Sequence, residues 1–318
     1  MFDGFLYSLE RGMYKRFTWL STLLFVALLS AAPAYATTSL RVLASFSVLE
    51  DLVKRVAGDN VNVKVIVPAG EDVHRWELTP PNVLALEETN IVFYNGFGLE
   101  PWIHHVQAMA DDQLTLVEVA KKADFTPLAI STGLYEGEPD PHMWMDPRGA
   151  MAYIDVIADT LAEHLPEQAD AFYARAEEAH KALTDLNQVL KERLDGIPHT
   201  NRTLITSEAG FGYFARAYAF EAQGVWGVNH ETQGSAQAMA KMSEYLGEKR
   251  PRPSALFYES TTANIHMDAL SRETGIALAG PLYVDSLSRS DGPAVNYPAM
   301  MRHNADVMHA ALGGARAE

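Results

Sequence analysis

Short apolar runs recur along this chain, and stretches with apolar residues every three or four positions separate them. In the first half the runs fall at 40–46, 61–67, 91–94 and 114–117. In the second they fall at 203–206, 221–226, 255–258 and 277–284. Val63-Lys64-Val65-Ile66-Val67 and Ala255-Leu256-Phe257-Tyr258 have the length and β-branched or aromatic content of buried parallel strands. Strands alternating with helices predict βαβ units. The fold class expected is therefore α/β, with two lobes, each a parallel β-sheet flanked by helices.

Between the halves lies the strongest helical pattern. From 167 to 194 the apolar positions are Ala169, Phe172, Ala176, Ala179, Leu183, Leu186, Leu190 and Leu194, one stripe at helical spacing. Pro166 before it and Gly196 after it are start and stop signals. Such a helix is roughly 40 Å long at 1.5 Å per residue, enough to join two lobes as one stiff rod. A second helix is predicted to begin at Asp146 as N-cap, with Pro147 in its first turn. The expected organisation is a leader at 1–36, a lobe at 37–166, the connecting helix at 167–197 and a lobe at 198–318.

The N-terminus predicts the compartment. Lys15 and Arg16 precede an apolar run from 19 to 29, and Ala34-Tyr35-Ala36 follows. That is a secretory signal cleaved after Ala36, too short an apolar run for a span of roughly 20 residues. Met13-Tyr14-Lys15-Arg16 offers an alternative start. The chain has no cysteine, which removes disulfides, thiolate metal sites and thiol nucleophiles. It also removes a lipid-bearing cysteine at the cleavage site, so a periplasmic protein that is not lipid-anchored is expected. The net charge is −16. Without a basic face, nucleic acid is not an expected partner.

Four segments each offer a metal ligand near a strand end or turn. His74 lies in Gly70-Glu71-Asp72-Val73-His74, and His142 in Asp140-Pro141-His142-Met143-Trp144-Met145-Asp146-Pro147. Glu208 lies in Thr206-Ser207-Glu208-Ala209-Gly210, and Asp285 in Leu282-Tyr283-Val284-Asp285-Ser286. Crevices in parallel α/β folds form at the strands' C-terminal ends. Two imidazoles from the first half and two carboxylates from the second carry two negative charges, matching a divalent cation. Asp140 or Asp146 is placed to support His142 through its second ring nitrogen. Glu259, after another strand, is expected to play a supporting or structural part. Taken singly, each residue is an ordinary loop histidine or strand-end acid.

Together these segments resemble the metal-binding receptors of bacterial ABC importers, the cluster A-I substrate-binding proteins. The likeness extends to Thr79-Pro80, to Asn95-Gly96-Phe97-Gly98-Leu99-Glu100-Pro101-Trp102 and to Phe211-Gly212-Tyr213-Phe214. It implies that His74, His142, Glu208 and Asp285 bind the transported ion, and that the partner is an integral membrane permease. Zinc members of that family usually carry a histidine at the third ligand position and often a His-rich loop before the second ligand. Here Glu208 stands at that position, and the acidic segment 131–140 has no histidine. Both features resemble the manganese/iron branch, and oxygen donors suit manganese. Leu78 departs from the proline often found in that turn.

The expected function is capture of manganese or ferrous iron by a receptor, probed against three alternatives. One is a zinc receptor of the same family. Another is a metal-dependent hydrolase with Glu77 or Glu259 as base, although no HExxH motif, nucleophile elbow or phosphate loop is present. The third is an organic-ligand receptor using Trp76, Trp144 or Trp226. His230 is an outside candidate ligand. The remaining histidines (His104, His105, His164, His180, His199, His266, His303, His309) are expected on solvent-facing or helical positions. A monomer that is not an enzyme is expected.

Overall fold

The computed structural model describes residues 40–59, 61–130, 133–228 and 234–313. The expected leader at 1–36 and His230 lie outside these residues. The first sheet contains β1 (Leu40–Phe46), β2 (Val61–Val67), β3 (Ile91–Tyr94) and β4 (Thr115–Glu118), all parallel, in the order β2-β1-β3-β4. The second contains β5 (Thr203–Glu208), β6 (Glu221–Trp226), β7 (Ala255–Glu259) and β8 (Ala277–Leu282), again parallel, in the order β6-β5-β7-β8. The two halves thus repeat one strand order without evident sequence identity.

Helices cover both sheets. In the first lobe these are α1 (Ser47–Ala57), α2 (Pro80–Glu87), α3 (Ile103–Met109), the single turn α4 (Val119–Lys122) and α5 (Pro147–His164). The second lobe has α7 (Gly212–Tyr218), α8 (Ala236–Glu248), α9 (Ile265–Thr274) and α10 (Tyr297–Leu312). Between the lobes runs α6 (Ala169–Asp195), after a short turn at Pro166–Gln168. Asp146 caps α5 by accepting from the Arg148 N–H at 2.9 Å, with Pro147 in the first turn, where a missing N–H costs nothing.

The apolar stripe explains how α6 is held. Phe172, Ala176, Ala179, Leu183, Leu186, Leu190 and Leu194 are buried, while the opposite side is charged and exposed. Each buried leucine contributes roughly 1.5–3 kcal/mol. The helix packs against α5 and α1 of the first lobe and against α10 of the second. One core therefore runs from the first sheet, through these helices, to one face of the second sheet at Leu204, Phe257 and Leu282. The other face of the second sheet has a small separate core. Ile205, Val225, Trp226 and Leu256 meet Met242 and Leu246 of α8 and Met267 and Leu270 of α9 there. Among the described residues, no helix is long and apolar enough to cross a membrane.

Strand ends differ from the sequence expectation where backbone partners change. β5 continues through Ser207 to Glu208, because Glu208 still pairs with Trp226 of β6. β8 stops at Leu282 instead of reaching Val284. Pro281 has no N–H to give to a ladder. Beyond it both backbone groups of Tyr283 are taken by the Asn304 side chain of α10, at 2.8 and 2.6 Å.

Candidate metal centre

The structure brings His74, His142, Glu208 and Asp285 together. One ligand atom from each lies within 4.8 Å of all the others. An ion held about 2.0–2.2 Å from four such atoms in a tetrahedron spaces them roughly 3.3–3.6 Å apart, within that limit. The four residues are 8, 0, 2 and 4 % exposed. Four polar groups are not withdrawn from water in this way unless something satisfies them. Among the described residues, His142 Nε2 and Asp285 Oδ1 are buried with no hydrogen-bond partner. They lie 3.3 Å apart and face the common centre.

Each imidazole is aimed through its far nitrogen. His74 Nδ1–H donates to the Leu99 carbonyl at 3.0 Å, which leaves Nε2 facing Asp285 Oδ2 (3.3 Å) and Glu208 Oε1 (3.7 Å). His142 Nδ1–H donates to Asp140 Oδ1 at 2.8 Å, and the same oxygen accepts the His142 backbone N–H at 2.9 Å. Second-ring-nitrogen bonds of this kind orient metal-binding histidines and raise their basicity. The Asp140 carbonyl is in turn held by the Tyr213 hydroxyl at 2.9 Å.

The segment 95–102 holds both histidine turns. Gly96, Phe97 and Gly98 all have positive φ (88, 50 and 78°), so the chain folds back on itself immediately after β3. That reversal presents the Leu99 carbonyl to His74. It also lets the Trp102 indole donate to the Val73 carbonyl at 2.8 Å, and the Asn95 amide donate to the Pro141 carbonyl at 3.0 Å. Glu100 fastens the turn by accepting from Ser45 Oγ and from the Asn95 and Gly96 N–H groups. Burial nonetheless pushes its carboxyl above the usual range.

The acids are placed by backbone. Glu208 ends β5, and its N–H donates to the Glu259 carboxylate at 3.2 Å, which also accepts the Ser207 hydroxyl. Asp285 lies three residues past β8 in a stretch that docks on the first lobe. The Leu287 N–H donates to Ser47 Oγ (2.9 Å), and the Gly70 N–H donates to Ser286 Oγ (2.8 Å) and the Leu287 carbonyl (3.0 Å).

Charge at the centre is strongly coupled. Burial opposes a charged His142, yet Asp140 and Asp285 beside it raise its pKa well above the usual imidazole value. Burial alone would raise Asp285, but His142 and His74 pull it far below the usual carboxylate range. Imidazole and carboxylate thus favour each other's charged form at this centre.

Other sequence candidates lie elsewhere. Trp226 belongs to the outer core of the second sheet, and Trp76 donates to Asn82 at 3.3 Å. Trp144 is fully buried beside His142. Leu78 packs against the core. His104 and His105 are exposed, and His164 bonds Thr160 and Thr115. The residues that the sequence did not single out, Leu99 and Ser207, act through backbone or through a partner distant in sequence.

Known proteins resemble the chain over nearly all the described residues. The family described as "ZnuA: Zinc-uptake complex component A periplasmic" matches residues 42–311. The manganese-binding lipoprotein MntA of Halalkalibacterium halodurans is 32% identical over 273 residues, 86% of this chain and 88% of that one. The iron ABC transporter substrate-binding lipoprotein MtsA of Streptococcus pyogenes serotype M1 is 30% identical, covering 91% of this chain and 94% of that one. Among solved structures, the periplasmic zinc binding protein TroA from Treponema pallidum superposes with a TM-score of 0.79 at 26% identity, over 86% of this chain and 99% of that one.

One expectation is overturned here. The missing cysteine predicts a protein that is not lipid-anchored, but MntA and MtsA are both named lipoproteins. The inference rested on an absence, at a leader outside the described residues, and it does not stand against relatives of this kind.

Proposed function

The chain belongs to the zinc-uptake complex component A family, and on that premise we propose that it captures manganese or ferrous iron through His74, His142, Glu208 and Asp285. It is a receptor of an ABC importer, not an enzyme. It binds a divalent metal ion as cargo and works with a membrane permease. The observation that carries the ligand assignment is the convergence of four buried donors, two from each half of the chain, within 4.8 Å.

The donor set supports the choice of metal. Two carboxylates and two imidazoles neutralise a divalent cation, and oxygen donors suit manganese and ferrous iron. The relatives named for manganese and for iron agree with this reading. Zinc competes at any such site by the Irving–Williams order, so zinc binding in vitro is expected as well. The division into a lobe at 37–166, a connecting helix at 167–197 and a lobe at 198–318 suits capture with small lobe movements, because α6 packs on both lobes as one rod. All four donors come from one chain, which supports a monomer. The charge of −16 argues against nucleic acid.

Titration of the metal-stripped full chain tests the assignment. One manganese or ferrous ion is expected to bind per chain, with zinc competing for the same place. Absence of stoichiometric binding by all three metals sinks the receptor site. Zinc alone in protein isolated from its native compartment overturns the manganese/iron assignment.

A further inference from the structure

The two donor pairs are linked by a residue that is not itself a ligand. Trp144 lies two residues after His142, in the turn Met143–Met145, and is fully buried. Its ring centre is 5.4 Å from that of His142, inclined at 54°, and 5.0 Å from that of Phe46. The indole N–H donates across the seam to the Val284 carbonyl at 3.0 Å. Val284 precedes Asp285 and lies beyond the end of β8. The Trp144 carbonyl accepts the Tyr297 hydroxyl of α10 at 2.6 Å.

A buried indole N–H requires an acceptor, and its direction is fixed by the rigid ring. The ring packs on the ligand of one lobe while its N–H holds the neighbour of a ligand from the other. His142 Nε2 and Asp285 Oδ1 stand 3.3 Å apart under that constraint. We propose that Trp144 is the positioning residue that sets the spacing of His142 and Asp285 across the seam, and that it raises metal affinity by acting through Asp285. This rests on the reading of His142 and Asp285 as ligands.

The test is a set of manganese and zinc affinities for W144F, D285A, E208A, W144F/D285A and W144F/E208A. W144F is expected to weaken binding by about tenfold to a hundredfold, as for other groups that orient metal ligands. In the D285A background the same change is expected to cost nothing further, and in the E208A background its full factor. Zinc serves as the probe where manganese becomes too weak to measure. Unchanged affinity in W144F overturns the proposal, as does the same fold loss in both backgrounds. Native affinity in D285A would instead sink the ligand reading itself. Should W144F fail to fold, Y297F keeps the packing and releases only the Trp144 carbonyl, and severalfold weaker binding is expected. In the native chain loaded with zinc, which is diamagnetic, the Trp144 indole proton is expected to exchange slowly by NMR, and fast exchange overturns the proposal.

Discussion

The two lobes carry the same sheet, yet they present their donors by opposite means. In the first lobe His74 and His142 sit on irregular loops well past the strands. Each is aimed by a hydrogen bond at its far ring nitrogen, to the Leu99 carbonyl and to Asp140. In the second lobe Glu208 is the last residue of a strand, with direction set by β-pairing, and Asp285 is docked through hydrogen bonds of its neighbours Ser286 and Leu287. The difference follows from the chemistry of the groups. An imidazole has two nitrogens, so one can be spent on orientation while the other faces the ion. A carboxylate offers both oxygens to the centre, and the chain must orient it instead.

The lobes also differ in how they are packed. The first sheet, α5, α6 and α10 share a core with the inner face of the second sheet, whereas α8 and α9 cover the outer face with a small core of their own. The largest expected effect tests this contrast. Leu186→Ala opens a cavity on the buried stripe of α6, the helix that packs on both lobes, and about 3–5 kcal/mol of stability is expected to be lost in denaturant unfolding. Leu246→Ala in the outer core is expected to cost about 2 kcal/mol, with metal affinity kept. Equal losses would mean that the outer layer is no looser than the spine.

Smaller effects probe the two ways of aiming a donor. Asp140→Asn weakens the bond at His142 Nδ1 and is expected to lower manganese affinity by about tenfold to a hundredfold in competition titrations. Ser207→Ala leaves Glu208 paired in its strand and held by Glu259, so less than about a tenfold change is expected. The reverse ranking would show that strand pairing does not suffice to place a carboxylate.

The smallest effect is on pH. The raised pKa of His142 means that the metal-free folded state holds a proton that the unfolded chain releases nearer the usual value, about 6.5. Its contribution to metal-free stability is therefore full below that value and lost as pH rises through the folded pKa. Metal takes the deprotonated ring, so the gain in melting temperature from saturating manganese is expected to grow from about pH 6 to about pH 9. A gain independent of pH would break the picture of protons and metal exchanging at one nitrogen.

Much of this was legible in the sequence. Apolar runs located all eight strands among the described residues, several to the residue, because parallel strands buried on both faces leave a dense apolar signature. The stripe on α6 matched its buried side, apart from the half-buried Ala169 at its start. The four residues that converge were singled out through short motifs at strand ends or turns. What stayed hidden was whatever depends on backbone carbonyls or on contacts between distant segments. Nothing in the letters around position 99 says that its carbonyl faces His74, and Trp144 looks like any core aromatic until Val284 is seen across the seam. The ends of β5 and β8 moved because Trp226 and Asn304, far away in sequence, decide where pairing continues.

The turn at Gly70 and the stretch from Ser286 to Leu287, next in sequence to Asp285, are stitched together, with Ser47 as the third point. These bonds, with that from the Trp144 indole to Val284, tie the segment that carries Asp285 to the first lobe. On the ligand reading proposed above, parting the lobes to free the cargo is expected to break them, so release falls to the permease that grips the two halves from outside.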